Sequence, residues 1–494
     1  VLVPLVDADS VLSPAWWLLR LGRQLRDRKQ KKLTLYREYY RGEQLLPQIP
    51  VEDRNAWLEF QRKARTNMCK MVVRATVARQ LCIGVNDGHG KEDAQAWEWL
   101  QRNRWDSQQK KLFRAIRSTG WGYTMVSEHP RRPRQPLITV EHPDQVIVER
   151  DPATGDVRAA LKAWWDDIER VGRASLYLAP ETAAGKTMNH RFKTETWSPN
   201  RALPWGETNW EESGDPVVTR FDRPPVVPFE NIPDLGEEPE PDFWEVRDIQ
   251  DRFNLQVLNR MFVERNMAQP QAYAVGAKVK KRVDPITGLE VAENPFPRGR
   301  ASVWVNENES GSFGQLPPAD LNNLLIAHAF EIRTLFVLTS TPAYYMPGDL
   351  VNVSTDTVMA LDANHVEKVR ELNTDDGEGI EETLGLAAQI AGVDSDFSQH
   401  EVRWQDPRHL NPAVLADMGV KKKNMGWPLA MVAEDMGESP QRVSRLRTEA
   451  AAEAMQQAAL APTFQQAGQP RQTSTTGQQE TAQLAAAGLA TGAA

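Results

Sequence analysis

The chain has 494 residues, of which 40% are hydrophobic and 26% charged, with a net charge of −8 at neutral pH. That is the composition of a soluble globular protein, long enough for about three domains and at least one sizeable core. The acidic balance argues against a protein that grips DNA tightly, because such binding draws on a basic face that displaces counterions from phosphate. No uninterrupted apolar run approaches the roughly 18 residues of a membrane span, so no membrane partner is expected. The opening Val1-Leu-Val-Pro-Leu-Val6 is too short for a signal-peptide core and runs into Asp7 and Asp9, so synthesis in the cytoplasm is expected. Cys69 and Cys82 have neither metal-ligand nor redox spacing and read as buried, inert thiols.

Ser13-Pro14 is a cap followed by a first-turn proline. Trp17, Leu18, Leu21 and Leu25 continue as a helical stripe towards Tyr36, Tyr39 and Tyr40, and Arg41-Gly42 supplies the stop. Further helical patterns cover 55–80, 92–103 and 107–118. Strand character takes over at 137–140 and 146–148, and Asp151-Pro-Ala-Thr-Gly155 reads as a hairpin loop into a strand over 157–165. A similar loop, Asp284-Pro-Ile-Thr-Gly288, lies between Val279 and Val291 and shares its turn chemistry rather than marking a repeat. Prolines and acids dominate 224–241, which reads as a connector. Val246, Ile249, Phe253, Val257 and Met261 then form a helical stripe ending before Pro270, and a β-like insertion follows, with the basic run Lys278-Val-Lys-Lys-Arg282.

Two amphipathic helical patterns come next. The first, capped by Asp320, places Leu321, Leu324, Leu325, His328, Ile332, Leu335 and Phe336 on one face; the second, capped by Ser354, places Val358, Leu361, His365, Val366, Val369 and Leu372 on one face. The segment Ser340-Thr-Pro-Ala-Tyr-Tyr-Met-Pro-Gly-Asp349 interrupts them, since Pro342, Pro347 and Gly348 cannot continue a helix. Another helical unit covers 411–455. Beyond it, 461–494 is rich in Gln, Ala, Gly and Thr and is expected to be disordered.

A search for chemistry nominates no catalytic residue, metal or cofactor. Ala179-Pro-Glu-Thr-Ala-Ala-Gly-Lys-Thr187 ends like a phosphate-binding loop, but Pro180 stands where the first glycine must let the backbone wrap phosphate. Asn373-Thr-Asp-Asp-Gly377 resembles part of a calcium loop with its glycine out of place, and reads as a solvated loop. The eight histidines show no close ligand spacing; His328 and His365 lie on apolar helix faces, as core or interface histidines do. Leu429 to Arg445 has helix-turn-helix spacing, with Ala433 small, Gly437 at the turn, Val443 apolar and Ser439-Pro440 as cap. On that reading Gln441, Arg442, Ser444 and Arg445 face DNA; a plain helical hairpin gives the same pattern.

The order of these parts resembles the portal proteins of tailed bacteriophages, in the siphophage branch. The resemblance spans Ser13 to about Met455. It is carried by Tyr36-Arg-Glu-Tyr-Tyr-Arg-Gly42, Asn67, Gly120-Trp-Gly-Tyr123, Asp251-Arg-Phe-Asn254, Thr341-Pro342 and Val402-Arg-Trp-Gln-Asp-Pro407. It implies a predominantly helical α+β portal fold. A wing would cover 1–240, a first stem helix 241–268, a clip 269–318, a second stem helix 319–338, a tunnel loop 339–354, a long helix returning through the wing 355–405, a crown 406–460 and a tail 461–494. It further implies a non-enzymatic dodecamer at a capsid vertex of the virion, through which double-stranded DNA is packaged and ejected with weak, sequence-independent contacts. Its partners would be the terminase large subunit, the head–tail adaptor, and the major capsid and scaffolding proteins. Thr341, Tyr344, Tyr345, Met346 and Asn352 would be the tunnel-loop candidates, and Lys278, Lys280, Lys281 and Arg282 the clip's docking candidates. The rival readings are a DNA-binding regulator built on the helix-turn-helix pattern and a nucleic-acid-processing enzyme.

Overall fold

The computed structural model describes residues 10–45, 54–180, 185–196, 202–232, 234–268, 272–275, 281–285, 288–292, 311–315, 321–342, 355–393, 396–408, 412–438 and 440–460. The first helix, α1 (Pro14–Arg28), starts as its sequence dictates: the Ser13 hydroxyl accepts from Trp16 N, and Pro14 sits where its missing N–H removes no bond. The chain then winds through a π-helical stretch, Lys29–Leu33, into α2 (Thr34–Arg41), which Gly42 closes at φ 75°. The expected helix over 55–80 is two helices, α3 (Arg54–Ala64) and α4 (Cys69–Arg79). The break between them is held by side chains: Asn67 donates to Tyr40 O and accepts from Lys70 N, while Asn254 and Gln250 accept from Thr66 N and Met68 N. A periodic pattern cannot reveal polar groups that arrive from so far along the chain.

After β1 (Cys82–Asn86) come α5 (Ala94–Arg102) and α6 (Trp105–Thr119), then β2 (Trp121–Glu128) and β3 (Pro136–Glu141). The strands β4 (Val146–Arg150), β5 (Val157–Asp166), β6 (Val171–Leu178), β7 (Met188–Thr194) and β8 (Glu211–Glu212) make an antiparallel sheet in that order, with β9 (Val217–Val218) also pairing β7. The apolar stripe of α1 packs on this sheet, placing Leu18 and Leu21 against Leu161, Leu176, Phe192 and Trp210.

The acidic connector holds a strand, β10 (Val226–Glu230), which pairs β2 in a sheet ordered β10-β2-β3. Its Val226, Val227 and Phe229 are buried; prolines on either side of a short apolar run hid it. Next come α7 (Arg247–Ala268), β11 (Ala272–Val275), β12 (Lys281–Val283), β13 (Glu290–Ala292), β14 (Ser312–Gln315) and α8 (Leu321–Leu338). The pairings are β11 with β14 and β12 with β13, the latter around the Asp284-to-Gly288 loop.

The longest helix is α9 (Thr355–Ala391), followed by β15 (Glu401–Trp404), which pairs β1, and by α10 (Pro412–Asn424), α11 (Leu429–Asp435) and α12 (Pro440–Leu460). The main core forms where α4, α5, α6 and α9 meet the β10-β2-β3 sheet. The solvated loop expected at 373–377 is instead the middle of α9, with Asn373 and Asp376 buried. Gly379 explains how the helix comes so close: a Cβ there would lie 2.5 Å from the Phe229 ring. Gly377 has no such neighbour, its nearest contact being Trp404 Nε1 at 3.6 Å. Gly379→Val should therefore cost about 1–3 kcal/mol through overpacking, whereas Gly377→Ala should stabilise by up to about 1 kcal/mol through helix propensity. Chemical denaturation of the two variants checks both signs.

Candidate functional site at the junction of the long helices

Three segments that are remote in sequence meet at the exit of α8. The helix ends with Thr339 and Thr341 buried, their hydroxyls 2.8 Å apart, and with Thr341 N donating to Phe336 O at 2.8 Å. Ser340, between them, adopts φ 52°, a left-handed conformation that a serine holds only when its surroundings require it. The carbonyls freed by this turn point at α9. Lys368 donates to Thr339 O at 3.3 Å, and His365 Nδ1 lies 2.9 Å from Ser340 O. The two side chains are three residues apart and so share a helix face.

The other ring nitrogen of His365 faces Ala75 O of α4 at 3.4 Å. Two carbonyls can only accept, and a neutral imidazole donates once. Burial holds the ring neutral, pushing its pKa down to about 4, with the Arg79 charge adding to the effect. The proton is thus best used at Nδ1, on the shorter contact.

Behind this face lies a buried charge network. Lys368 also reaches Asp242 Oδ2 at 3.1 Å, and that carboxyl is held below its ordinary range by Lys368 and Arg117 despite the opposing effect of burial. Asn231 donates to Asp242 at 3.0 Å and to Glu240 O at 2.7 Å. Arg117, fully buried on α6, donates to Asn231 and to Asp376 on α9, and Gln80 donates to Asp376 at 2.7 Å. Burial pushes the Asp376 carboxyl up to about 6 while Arg117 and Gln80 hold it ionised, so the pair is charged at neutral pH. Nearby, Arg79 reaches Asp362 at 2.6 Å and Pro407 O at 3.3 Å. Removing one partner of such a pair strands a charge, at a cost of about 3–5 kcal/mol. The network fixes α9, and through it the end of α8, against α4 and α6.

One side of α8 packs on α7: Phe253 lies over His328 with ring centroids 5.3 Å apart, and Arg252 pairs with Glu331 at 3.1 Å. His328, Leu335 and Phe336 are buried, as their shared face predicts, while Leu325 is 48% exposed. The opposite side is also apolar, with Ile326, Phe330 and Val337 exposed at 67%, 66% and 77%. The 18 residues Leu321–Leu338 are long and apolar enough by composition to cross a membrane, although no single uninterrupted apolar run is, because Glu331 and Arg333 fall inside them.

Thr341 is an interior member of the α8 cap rather than an exposed contact, because both its amide and its hydroxyl are taken up there. Tyr344, Tyr345, Met346 and Asn352 lie outside the described residues, as do Lys278 and Lys280; the backbone of Lys281 and Arg282 forms β12. Gln441, Arg442, Ser444 and Arg445 are exposed on α12, where Arg442 pairs with Glu438 at 3.0 Å and Arg445 with Glu449 at 2.7 Å. The α11–α12 hairpin closes on Val432, Ala433 and Val443, with Gly437 at φ 80°. Both thiols are buried, and burial pushes each up to about 12, as for inert cysteines.

Sequence reasoning missed a basic surface that the net charge conceals. Arg41 on α2, Lys70 and Arg74 on α4, and Lys111 and Arg114 on α6 are carried by three helices that pack on one another, and none of the five is in an ion pair among the described residues. The signal was present in the text: α4 contains no acid, and α6 only Asp106.

No protein-family model matches the chain. It is similar to a curated portal protein of Mycobacterium phage D29, with 24% identity over 463 residues and 88% of each chain covered. It is also similar to a portal protein of Mycobacterium phage L5, with 24% identity over 399 residues, covering 76% of this chain and 77% of the other. Among solved structures, the neck of an empty GTA particle computed with C6 symmetry aligns at a TM-score of 0.43 and 12% identity, over 78% of this chain and 93% of the other. The neck of a native GTA particle computed with C12 symmetry aligns at 0.42 and 12%, over 83% and 100%. The chain is a homologue of bacteriophage portal proteins along most of its length.

The His365 contact predicts a pH dependence. Its folded pKa, about 4, lies below the ordinary 6.5, so the unfolded chain takes up the proton first. The contribution is complete above pH 6.5 and is lost as pH falls towards 4, amounting to about 2–3 kcal/mol by pH 4. Thermal melts of wild type and His365→Gln between pH 7.5 and 4 should show the steeper fall in the wild type; parallel profiles would remove His365 from the account.

Proposed function

We propose that the chain is the subunit of a ring-shaped phage portal, a passive conduit through which double-stranded DNA enters and leaves the capsid. The observation that carries this reading is the similarity to a curated portal protein across 88% of both chains. The geometry supports it. The helix α8 is apolar on two opposite sides and uses only one of them within its own chain, so a second surface is needed to cover the exposed Ile326, Phe330 and Val337. Head-to-tail contacts that close by rotation supply such a surface in every copy.

On this reading α7 and α8 are the stem, 269–318 is the clip, 339–354 is the tunnel loop, the N-terminal part with 355–405 is the wing, and 406–460 is the crown. The ring is a dodecamer at a vertex of the virion. Lys278, Lys280, Lys281 and Arg282 are the clip residues offered to the terminase and then to the head–tail adaptor, and the wing faces the capsid and scaffolding proteins. The tunnel loop meets DNA through Tyr344, Tyr345, Met346 and Asn352, rooted on the cap that His365 and Lys368 hold. The unpaired cations of α2, α4 and α6 offer phosphate a local contact, and the acidic remainder keeps overall affinity low. The protein guides DNA and performs no chemistry on it.

The purified protein should form rings in negative-stain images. Ile326→Glu/Phe330→Glu should abolish them while shifting the monomer's melting temperature by only a few degrees, because both side chains are exposed in the single chain. Rings that persist in the variant, or a wild type that stays monomeric under all assembly conditions, would contradict the proposal. Deleting residues 344–348 should leave ring assembly intact and abolish packaging of DNA into capsids; unimpaired packaging would remove the loop from the DNA path.

A further inference from the structure

The C-terminal helical unit carries two surfaces that, among the described residues, nothing covers. The first is a platform. Across the end of α10 and the start of α11, Val420, Met425, Trp427, Leu429 and Met431 are exposed, at between 40% and 70%. Large apolar side chains scattered singly over a surface need no explanation, but five within a dozen residues do. Methionines suit such a surface because they adapt to the shape of what lies on them. Lys422 frames one edge, its ammonium 5.0 Å from the Trp427 ring centre.

The second surface is the far half of α12. That helix is anchored at its beginning, where Val443 is buried and Arg447 reaches Glu434 and, at 3.8 Å, Glu92. Residues 448–456 are exposed on every side. The exposed stretch 448–456 amounts to roughly 14 Å of projecting rod. Ala450, Ala451, Ala454 and Met455 form a shallow apolar strip along it. A free helix of this length is marginal in water by itself, so its stability calls for a packing partner.

Charge singles out the partner. Within 412–460 nearly every charged side chain is matched inside the chain: Asp417 with Lys421, Lys422 with Asp435, Glu434 with Arg447, Glu438 with Arg442, and Arg445 with Glu449. Among the described residues, the two left without an ion pair are Lys423, beside the platform, and Glu453, on the projecting strip. They are opposite in sign, and each sits next to an exposed apolar surface. Among the described side chains of α12, 448–456 are all exposed, Glu453 included, so the pair is not made within one copy.

We propose that the projecting half of α12 docks on the α10–α11 platform of a second copy of this chain. The Ala450-to-Met455 strip would lie on Met425, Trp427 and Met431, and Glu453 would meet Lys423. Each copy then offers one helix and one platform, so the contact is head-to-tail and propagates. This rests on the ring reading and assigns it a specific interlock at the C-terminal end.

The test is a full-length Met425→Cys/Met455→Cys variant, assembled and then oxidised. The native Cys69 and Cys82 are buried and do not compete. A ladder of covalent species extending beyond the dimer on a denaturing gel, absent from either single variant, is the expected result. Assembled rings that give no cross-link, a cross-link confined to the monomer, or a product that stops at the dimer would each overturn the contact while leaving the ring reading standing. Failure of the unmodified protein to assemble at all would overturn both. In the same assay Lys423→Glu or Glu453→Lys should raise the protein concentration needed for assembly about three- to fivefold, and the double exchange should restore it. Additive losses in the double exchange would dismiss the pairing.

Discussion

The buried pairing of Arg117 with Asp376 is the constraint on which the rest of the structure turns. It joins α6, which leads into the central strand β2, to the middle of the longest helix, and Asn231 extends it to Asp242 and thence to Lys368. A charge pair without solvent access is seldom the cheapest way to hold two helices together, and apolar packing of the same volume often does as well. What it does supply is register: Arg117, Gln80 and Asn231 satisfy one another only when α9 sits at one position along α4 and α6. That position sets where His365 and Lys368 meet the carbonyls of Thr339 and Ser340. The end of α8 is thus placed by charges buried in the core.

A division of labour follows. The body around the two larger sheets is self-sufficient, with continuous cores under α1 and around α9. The elements that project from it are not: α8 shows apolar side chains on its outer side, and α12 is free for much of its length. A rigid body carrying incomplete projections is what a repeating assembly requires, since it leaves the remaining burial to neighbours while the subunit folds alone. The distribution of charge fits the same scheme. On the proposed reading, an acidic chain with a local basic surface among its described residues would touch a phosphate backbone without the deep electrostatic wells that halt a sliding duplex.

Local chemistry was legible in the sequence where local chemistry decides. The Ser13-Pro14 start, the Gly42 stop, the hairpin loop at Asp151 to Gly155 and the inward face of α8 follow from caps, turns and period. Legibility failed where a distant group overrides the local signal. Asn373-Thr-Asp-Asp-Gly377 has the composition of a loop, and only Arg117 and Gln80, far back in the chain, turn Asp376 into a core residue. The strand at Val226 was hidden by its prolines, and the break at residues 65–68 depends on Gln250 and Asn254. Thr341 is named as a tunnel-loop candidate on the resemblance, and the burial that comes with the cap it completes is set by Thr339 and Phe336 rather than by its own neighbourhood in sequence. The basic surface escaped notice because a net charge sums over faces that the fold separates.

The central claim is that the body is complete in one chain while α8 awaits a neighbour. Hydrogen exchange, measured on dilute monomer and on the assembled protein, tests it most directly. Amides of 321–338 should gain strong protection on assembly, while those of 107–119 and 365–391 should be protected equally in both states. Equal protection of α8 in monomer and assembly, or exchange in α9 as fast as in the free α8, would contradict it.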